Sequence, residues 1–437
     1  MTPSARLAAA IEVLSEVEAR HRPVKLALKD WGARSRYAGS GDRAWVSGLV
    51  LDALRRKRSL AAWMGDDSPR GIALGALRDA WGWSAGQVAE TAAGEPHGPG
   101  ALTGAEAEVL DASRTPNDAP APVLGDYPDW LDGPLARAYG ENRLAEAQAQ
   151  AARAPVDLRV NTLKSDFARV FKVLGPMGAE PSELLLNALR IPAPEAHKRA
   201  PAVENEPIFA KGAFEVQDQG SQVAAAAAGE VKGKQVLDLC AGGGGKTIAL
   251  AAAMANTGQI YAYDVDPKRL SEVVKRGQRA GLRNLQVRSP SQPDPLHGLD
   301  GHMDIVFVDA PCTGTGTWRR HPDAKWRLTP AQLEKRMAEQ DAVLDQAAQC
   351  VKPGGRLVYV TCSILCEENE DRVAAFMSRH PGFAITPALD GVKASGLVTE
   401  PGLTLLAANA TSEGFLRLSP HRTSTDGFFV AALERTR

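Results

Sequence analysis

QVLDLCAGGGGKTIALAAAM, residues 235–254, reads as a short apolar strand, a run of four glycines and an alanine-rich helix. The same alternation continues downstream. QIYAYDV (259–265) is the next strand and PKRLSEVVKRGQRAG (267–281) the next helix, followed by the strands NLQVR (284–288), MDIVFVDA (303–310) and RLVYVTC (356–362). Between the last two, Thr329-Pro330 opens a helix whose Leu333, Met337, Leu344, Ala347 and Val351 fall on one face. FLRLSPHRTSTDGFFVAALER (415–435) closes the chain as two strands joined by a polar connection. Residues 221–437 are therefore expected to form a doubly wound α/β domain, whose ligands bind beyond the carboxyl ends of its strands.

Two short strings stand at such ends. DAPC (309–312) follows the apolar run IVFV, and TCS (361–363) follows LVYV, so each delivers a cysteine to the same crevice. Cysteine attacks as the thiolate, which a positive or helix-N-terminal setting favours. Carbon 5 of a pyrimidine is inert until a nucleophile adds across the 5,6 double bond. A thiolate at carbon 6 makes carbon 5 nucleophilic enough to take a methyl group; the carbon 5 proton then leaves and the thiol is eliminated. That scheme needs a nucleophile, a group holding the ring polarised and help in release, and Cys362, Asp309 and Cys312 supply those three types. Spacing alone does not decide which cysteine attacks. An amino-group methyltransferase is expected to carry Asn/Asp-Pro-Pro-aromatic where this chain has DAPC.

DLCAGGGGKT (238–247) admits three cofactor readings. A phosphate-binding P-loop needs a glycine five residues before Gly245, where Cys240 stands. A dinucleotide fingerprint on Gly242 and Gly244 meets Thr247 in place of its third glycine. S-adenosylmethionine fits best: glycines let the backbone approach the ligand, the helix N-terminus faces its carboxylate, and Asp264, 19 residues beyond Gly245 at the end of the next strand, is placed for its ribose hydroxyls.

The rest of the chain bounds the setting. Hydrophobic residues make up 44% and charged ones 24%, and no apolar run is long enough to span a membrane. Five cysteines, all between Cys240 and Cys366, do not suit a disulfide framework, so a reducing cytoplasm is expected; none has metal-ligand spacing. A net charge of −1 does not by itself predict nucleic-acid binding, but Arg55–Arg58 form one basic block and Arg319, Arg320, His321, Lys325 and Arg327 a second. A solvated helix face and a binding role are equally open for the first block; function is favoured for the second, beside DAPC. Residues 1–111 read as helical, with Leu7, Ile11, Leu14 and Val17, then Val46, Leu49, Val50 and Leu54, at helical spacing and five tryptophans as core. A proline- and alanine-rich stretch at 112–128 is expected to be a linker, and 129–220 a small α+β segment.

The chain resembles the RsmB type of the Nop/Sun family of RNA cytosine-5 methyltransferases. FEVQDQGS (214–221), DLCAGGGGKT, YAYDVD, VDAPCTGTGTWRRHPDAKWR (308–327), YVTCSILCEENED (359–371) and TDGFF (425–429) carry the resemblance, with PDWL (128–131) and LRVNTLK (158–164) matching the family's pre-catalytic segment. The helical N-terminus is similar to a NusB-like RNA-binding domain. By resemblance, Cys362 is the nucleophile and Cys312 assists release. Cys240, Ala241, Gly242, Gly243, Gly244, Gly245, Lys246, Asp264 and Asp309 then line the pocket for S-adenosyl-L-methionine and the base. Gly242-Gly243 departs from the family's Ala-Pro, and QVRSPSQPD (286–294) offers no clear acid for the adenine. Cys240, Cys350 and Cys366 are expected to be inert. The implied substrate is ribosomal (16S) RNA in single-stranded or remodelled form, modified by a cytoplasmic monomer. The alternatives are transfer RNA, or an RNA-binding assembly or antitermination factor with an inactive methyltransferase domain.

Overall fold

A computed structural model describes residues 1–436 apart from 113–118, 197 and 199. The chain divides into two compact units.

The first unit holds Met1–Ala154, Ala193–Ala200 and Trp318–Leu328. Seven helices run from Pro3–Arg20 to Gly104–Asp111, several opened by a side chain that accepts a backbone N–H, as Thr2, Ser68, Ser84 and Thr103 do. The periodic residues Leu7, Leu14, Val17, Val46, Leu49, Val50 and Leu54 are buried together with Trp31, Trp45 and Trp81, as their spacing requires. The indole N–H of Trp81 donates to Asp52 Oδ2 at 2.9 Å.

This unit is larger than the sequence suggested. The expected boundaries at 111 and 128 both fall inside it. Residues 113–118 of the expected linker lie outside the described residues, but Asp126 and Tyr127 are buried, and Asp126 accepts from the Ser59 N–H at 2.9 Å and hydroxyl at 2.7 Å. Composition cannot foresee that anchoring. The Arg55–Arg58 block is not a uniformly solvated face. Arg55 is buried, and Arg56, Lys57 and Arg58 pair with Asp79, Glu18 and Asp129 at 2.5–2.6 Å. The second basic stretch is also partly structural: Lys325 is 1% exposed and donates to the Arg55 carbonyl at 2.8 Å.

The second unit carries two sheets. The smaller contains β1 (Val156–Val160), β2 (Glu180–Pro181), β3 (Ala188–Ile191) and β4 (Phe214–Val216) in the antiparallel order β2-β3-β1-β4. The larger contains β5 (Gln235–Asp238), β6 (Gln259–Tyr263), β7 (Leu285–Arg288), β8 (Met303–Asp309), β9 (Val351–Thr361), β10 (Phe383–Thr386), β11 (Leu416–Leu418) and β12 (Phe428–Arg435). Their order is β10-β12-β9-β8-β5-β6-β7, with β11 on β12. Strands β9 to β7 are parallel, while β10, β11 and β12 pair antiparallel. This is the expected Rossmann-like α/β sheet. Ile305, Phe307, Val358 and Val360 enter the core on one face, and Val306, Val308, Leu357 and Tyr359 the core on the other. Burial on both faces explains why these strands read as continuous apolar runs.

Strand order reverses at β5, which has β6 on one side and β8 on the other. That switch point leaves the crevice in which doubly wound sheets hold ligands. The helix Pro330–Cys350 begins at the expected Thr329-Pro330, with Thr329 and Gln332 forming a reciprocal cap.

Asn161, fully buried in LRVNTLK, ties the smaller sheet to the α/β domain. Its Nδ2 donates to the Gly212 carbonyl at 2.8 Å and the Ala280 carbonyl at 2.9 Å. Asn161→Ala should strand both carbonyls and cost about 2–3 kcal/mol. Urea unfolding checks this, and an unchanged midpoint would mean that water replaces the amide.

Candidate active site

Strand pairing builds the site. In the parallel β8–β9 ladder Asp309 lies opposite Val360, and the Ala310 N–H donates to the Val360 carbonyl at 2.8 Å. Cys312 and Cys362 are therefore three and two residues beyond paired positions, and both leave the sheet at the same edge. Their sulfurs stand 3.3 Å apart. Gly314, at φ +70°, turns the DAPC loop here, and a Cβ on it would approach Cys362 Sγ to 4.0 Å.

The loop is held closely. Gly316 donates to the Cys362 carbonyl at 2.9 Å and accepts from the Gly427 N–H at 2.7 Å. A Cβ on Gly316 would lie 2.2 Å from the Gly427 oxygen, so the two backbones touch where side chains cannot fit. Thr315 Oγ1 lies 2.9 Å from Ser363 Oγ and accepts from the Ile364 N–H at 2.9 Å.

Glu368 is the anchor that sequence analysis missed. It is wholly buried, accepts from the Thr313 N–H at 2.8 Å and from the Thr313 hydroxyl, and takes the Gln340 amide at 3.0 Å. The same Gln340 nitrogen donates to the Pro311 carbonyl at 2.9 Å. The residues on either side of Cys312 are thereby fixed from one carboxylate. The only sequence signals were an acid-rich run after TCS and a polar residue near the apolar stripe of a helix.

At the glycine loop, Gly242 (φ +54°) and Gly244 (φ +82°) adopt left-handed conformations. A Cβ on Gly244 would press on Val273 at 3.2 Å, whereas one on Gly242 would meet nothing within 4 Å. Gly244 is required by packing, and Gly242 presents backbone to open space. Arg276 holds the loop by donating to the Gly243 carbonyl at 2.6 Å and to Glu215 at 2.8 Å, a brace from β4 also missed in the sequence.

Asp264 follows β6 as expected, but its two oxygens accept the Gly242 and Asp266 N–H groups, each at 2.8 Å. The carboxylate thus shapes the loop, and its remaining lone pairs are what a ribose would use. Open backbone at a helix N-terminus beside this carboxylate fits the amino-acid and ribose ends of S-adenosylmethionine.

Lys246 Nζ donates to Asp309 Oδ2 at 2.7 Å and lies 5.1 Å from the centre of the Phe428 ring. Burial is the largest single influence and opposes its charge, but the charge and hydrogen bond of Asp309, with Cys362 and Asp238 nearby, together outweigh it, so the ammonium is held above its ordinary range. Cys312 is pushed the other way for a nucleophile. Its hydrogen bond to Cys362 comes first, then burial, then the charges of Cys362 and Glu368, and together they raise its thiol well above the usual value. Cys240 is likewise raised by burial and by Asp238, Asp309 and Asp264, while Cys350 is pushed to about 12 by burial, consistent with inert thiols. Among the described residues no cluster has a metal-binding donor set, and no helix is long and apolar enough to cross a membrane.

Asp238, fully buried, accepts from Thr247 Oγ1 at 2.6 Å and is raised to about 7, chiefly by burial. The folded chain then retains a proton that the unfolded chain releases near 3.8. Stability from this group is complete below that value and is lost as pH rises through about 7. Asp238→Asn keeps an oxygen for Thr247 but cannot ionise, so it should gain stability relative to the parent between about pH 5 and pH 8. Urea titrations at both ends check this; a constant difference would place the carboxylate in its ionised form throughout.

Comparisons with known proteins bear on the family and the fold. The model of the family described as 16S rRNA methyltransferase RsmB/F matches residues 227–434. A Synechocystis protein named probable ribosomal RNA small subunit methyltransferase B is 31% identical over 315 residues, covering 71% of this chain and 67% of its own length. The Yersinia pseudotuberculosis ribosomal RNA small subunit methyltransferase B is 34% identical over 310 residues, covering 70% of this chain, and the match spans 66% of the relative's length. The crystal structure titled PH0851 superposes with a TM-score of 0.72 at 25% identity, covering 99% of each chain. With its methyltransferase sheet, its glycine loop and its cofactor, S-adenosylmethionine, this chain belongs to the RsmB/F family.

Proposed function

We propose that this protein methylates carbon 5 of cytosine in 16S ribosomal RNA through a covalent bond from Cys362 to carbon 6. The observation that carries the reading is the 3.3 Å approach of two thiols that stand in unlike settings. Cys312 is held protonated, first by its hydrogen bond to Cys362 and then by burial. A thiol kept protonated suits proton transfer and release, which leaves the attack on carbon 6 to Cys362.

In this scheme Cys362 adds to carbon 6 of the base. Asp309, kept in place by Lys246, orients the ring through its exocyclic amino group, and the Lys246 charge opposes the negative charge that develops on the ring. When bound, S-adenosylmethionine supplies the methyl group that carbon 5 accepts. Cys312, whose sulfur stands 3.3 Å from that of Cys362, then passes its proton to the departing Cys362 sulfur and receives the carbon 5 proton in its place, which restores the aromatic ring and leaves both thiols free. The names of the relatives favour ribosomal over transfer RNA. A base inside a duplex cannot reach such a crevice, so the cytosine is presented from single-stranded or remodelled RNA. We place the reaction in the cytoplasm, in a monomer whose helical N-terminus serves as a NusB-like RNA-binding domain.

The thiol assignment has a direct test. Cys362→Ala should give neither methylated product nor adduct. Cys312→Ala should form the thioether but fail to resolve it, leaving a protein–RNA species that survives denaturing electrophoresis. The reverse pattern would exchange the two roles, and activity without adduct in either variant would remove covalent catalysis.

The cofactor assignment rests on Asp264. Asp264→Ala removes both the acceptor for the ribose and the brace on Gly242, and should weaken S-adenosylmethionine binding by about 1.5–3 kcal/mol. Calorimetry showing parental affinity would release Asp264 from that role.

A further inference from the structure

The helical unit contains a cleft of about 510 Å³. Its basic lining converges from sequence-remote segments: Lys25 and Arg43 from two helices, Arg153 and Lys198 from farther on, and Arg320 with the imidazole of His321 from the Trp318–Leu328 segment. Asp52 is the sole acid among the described lining residues, and Lys198 also carries an ion pair to Glu195, beside the lining, at 2.6 Å. The Asp52 charge is already engaged by Arg153, by Arg55 at 3.3 Å and by the Trp81 indole at 2.9 Å. A chain whose net charge is −1 therefore concentrates an excess of positive charge in one concavity.

The crowding shows in the groups themselves. Arg55 is depressed to about 10, by burial first and with Arg153 and Arg56 adding to the depression against the pull of Asp52. His321 is lowered by burial and then by Lys25, with Arg320 and Arg327 acting in the same sense against Asp323. An anion in the cleft would relieve this repulsion. The remaining lining residues, such as Ala44, Ser47, Gly48 and Leu51, are small or aliphatic, and the described lining holds no tryptophan, tyrosine or phenylalanine, His321 being its one aromatic ring. A lining dominated by cations recognises phosphates and sugars, and these contacts carry no sequence information.

We propose that this cleft is a phosphodiester-binding site that holds the backbone of the RNA substrate without reading its sequence. The proposal rests on the reading of the protein as an RNA methyltransferase and adds where the helical unit grips that RNA.

The test reverses two exposed charges outside the catalytic machinery, in Lys25→Glu/Lys198→Glu. Fluorescence anisotropy with a labelled single-stranded RNA, repeated across salt concentrations, should show affinity reduced about tenfold or more near 0.1 M salt. The plot of log affinity against log salt should flatten by about 1.4, or about 0.7 for each phosphate that is no longer neutralised. RNAs of unrelated sequence should suffer alike, S-adenosylmethionine affinity should stay at the parental value, and Lys25→Arg/Lys198→Arg should bind RNA like the parent. Unchanged affinity and slope, a loss confined to one sequence, or displacement of the RNA by ATP at its own binding stoichiometry would each overturn the proposal; the last would make the cleft a mononucleotide site. A Cys312→Ala background separates this from the chemistry. If a saturating cytosine-containing RNA still forms the adduct while the salt slope is unmoved, only the cleft proposal fails. If the parent background gives no adduct, the chemical reading fails, and the salt slope still judges the cleft.

Discussion

The parallel pairing of β8 with β9 is the constraint on which the site depends. Backbone hydrogen bonds fix Asp309 against Val360, and the short distances from those residues to Cys312 and Cys362 leave little freedom in where the sulfurs emerge. A one-residue slip of either strand would send its apolar side chains to the wrong face of a sheet buried on both sides. The packing that stabilises the sheet thus also sets the separation of the thiols. Catalytic geometry of this kind sits on strand ends, where a rigid scaffold holds it more precisely than a free loop would.

A short loop carrying a reactive group still needs anchoring, and here buried polar groups provide it. Glu368 fastens Thr313 and takes the Gln340 amide, and Gln340 fastens Pro311. On the other side of the crevice, Glu215 and Arg276 brace the glycine loop, and Asp264 ties Gly242. Each of these carboxylates is buried and hydrogen-bonded, the condition under which such a group rigidifies its surroundings instead of destabilising them. Arg159 follows the same logic less completely: its Nε donates to Gln217 at 2.7 Å, but Nη2 is buried without a hydrogen-bond partner, and burial depresses the group to about 10.

The electrostatics of the two units differ in purpose. In the α/β domain, charges occur as close pairs such as Lys246–Asp309, in which a buried cation is retained because a carboxylate and the groups around it together outweigh the cost of its burial. In the helical unit's cleft, cations gather around one acid whose hydrogen-bonding capacity is already used. Pairing favours a fixed catalytic geometry, and an excess of one sign favours capture of a polyanion.

The alternating strand and helix pattern, the four-glycine turn and the two cysteine strings were legible because each is local: hydrophobic period, conformational need and chemical type are written in neighbouring residues. They determined the fold class and the crevice, and with the family resemblance they led to the proposed chemistry. Tertiary structure decided what depends on distant partners. Arg55–Arg58 read as a basic block, solvated or binding, and only the fold showed that Arg55 is buried while Arg56, Lys57 and Arg58 pair with acids from three separate segments. The expected linker gave up Asp126 and Tyr127 to the helical unit because a buried hydrogen bond to Ser59 outweighs a loop-like composition. Glu368, Gln340 and Glu215 had no spacing rule to mark them, since their roles come from where the turn Cys366–Glu368, the helix Pro330–Cys350 and β4 place them in space. Which cations in a nearly neutral chain stand together was likewise settled by folding, because net charge records a sum and the fold records an arrangement.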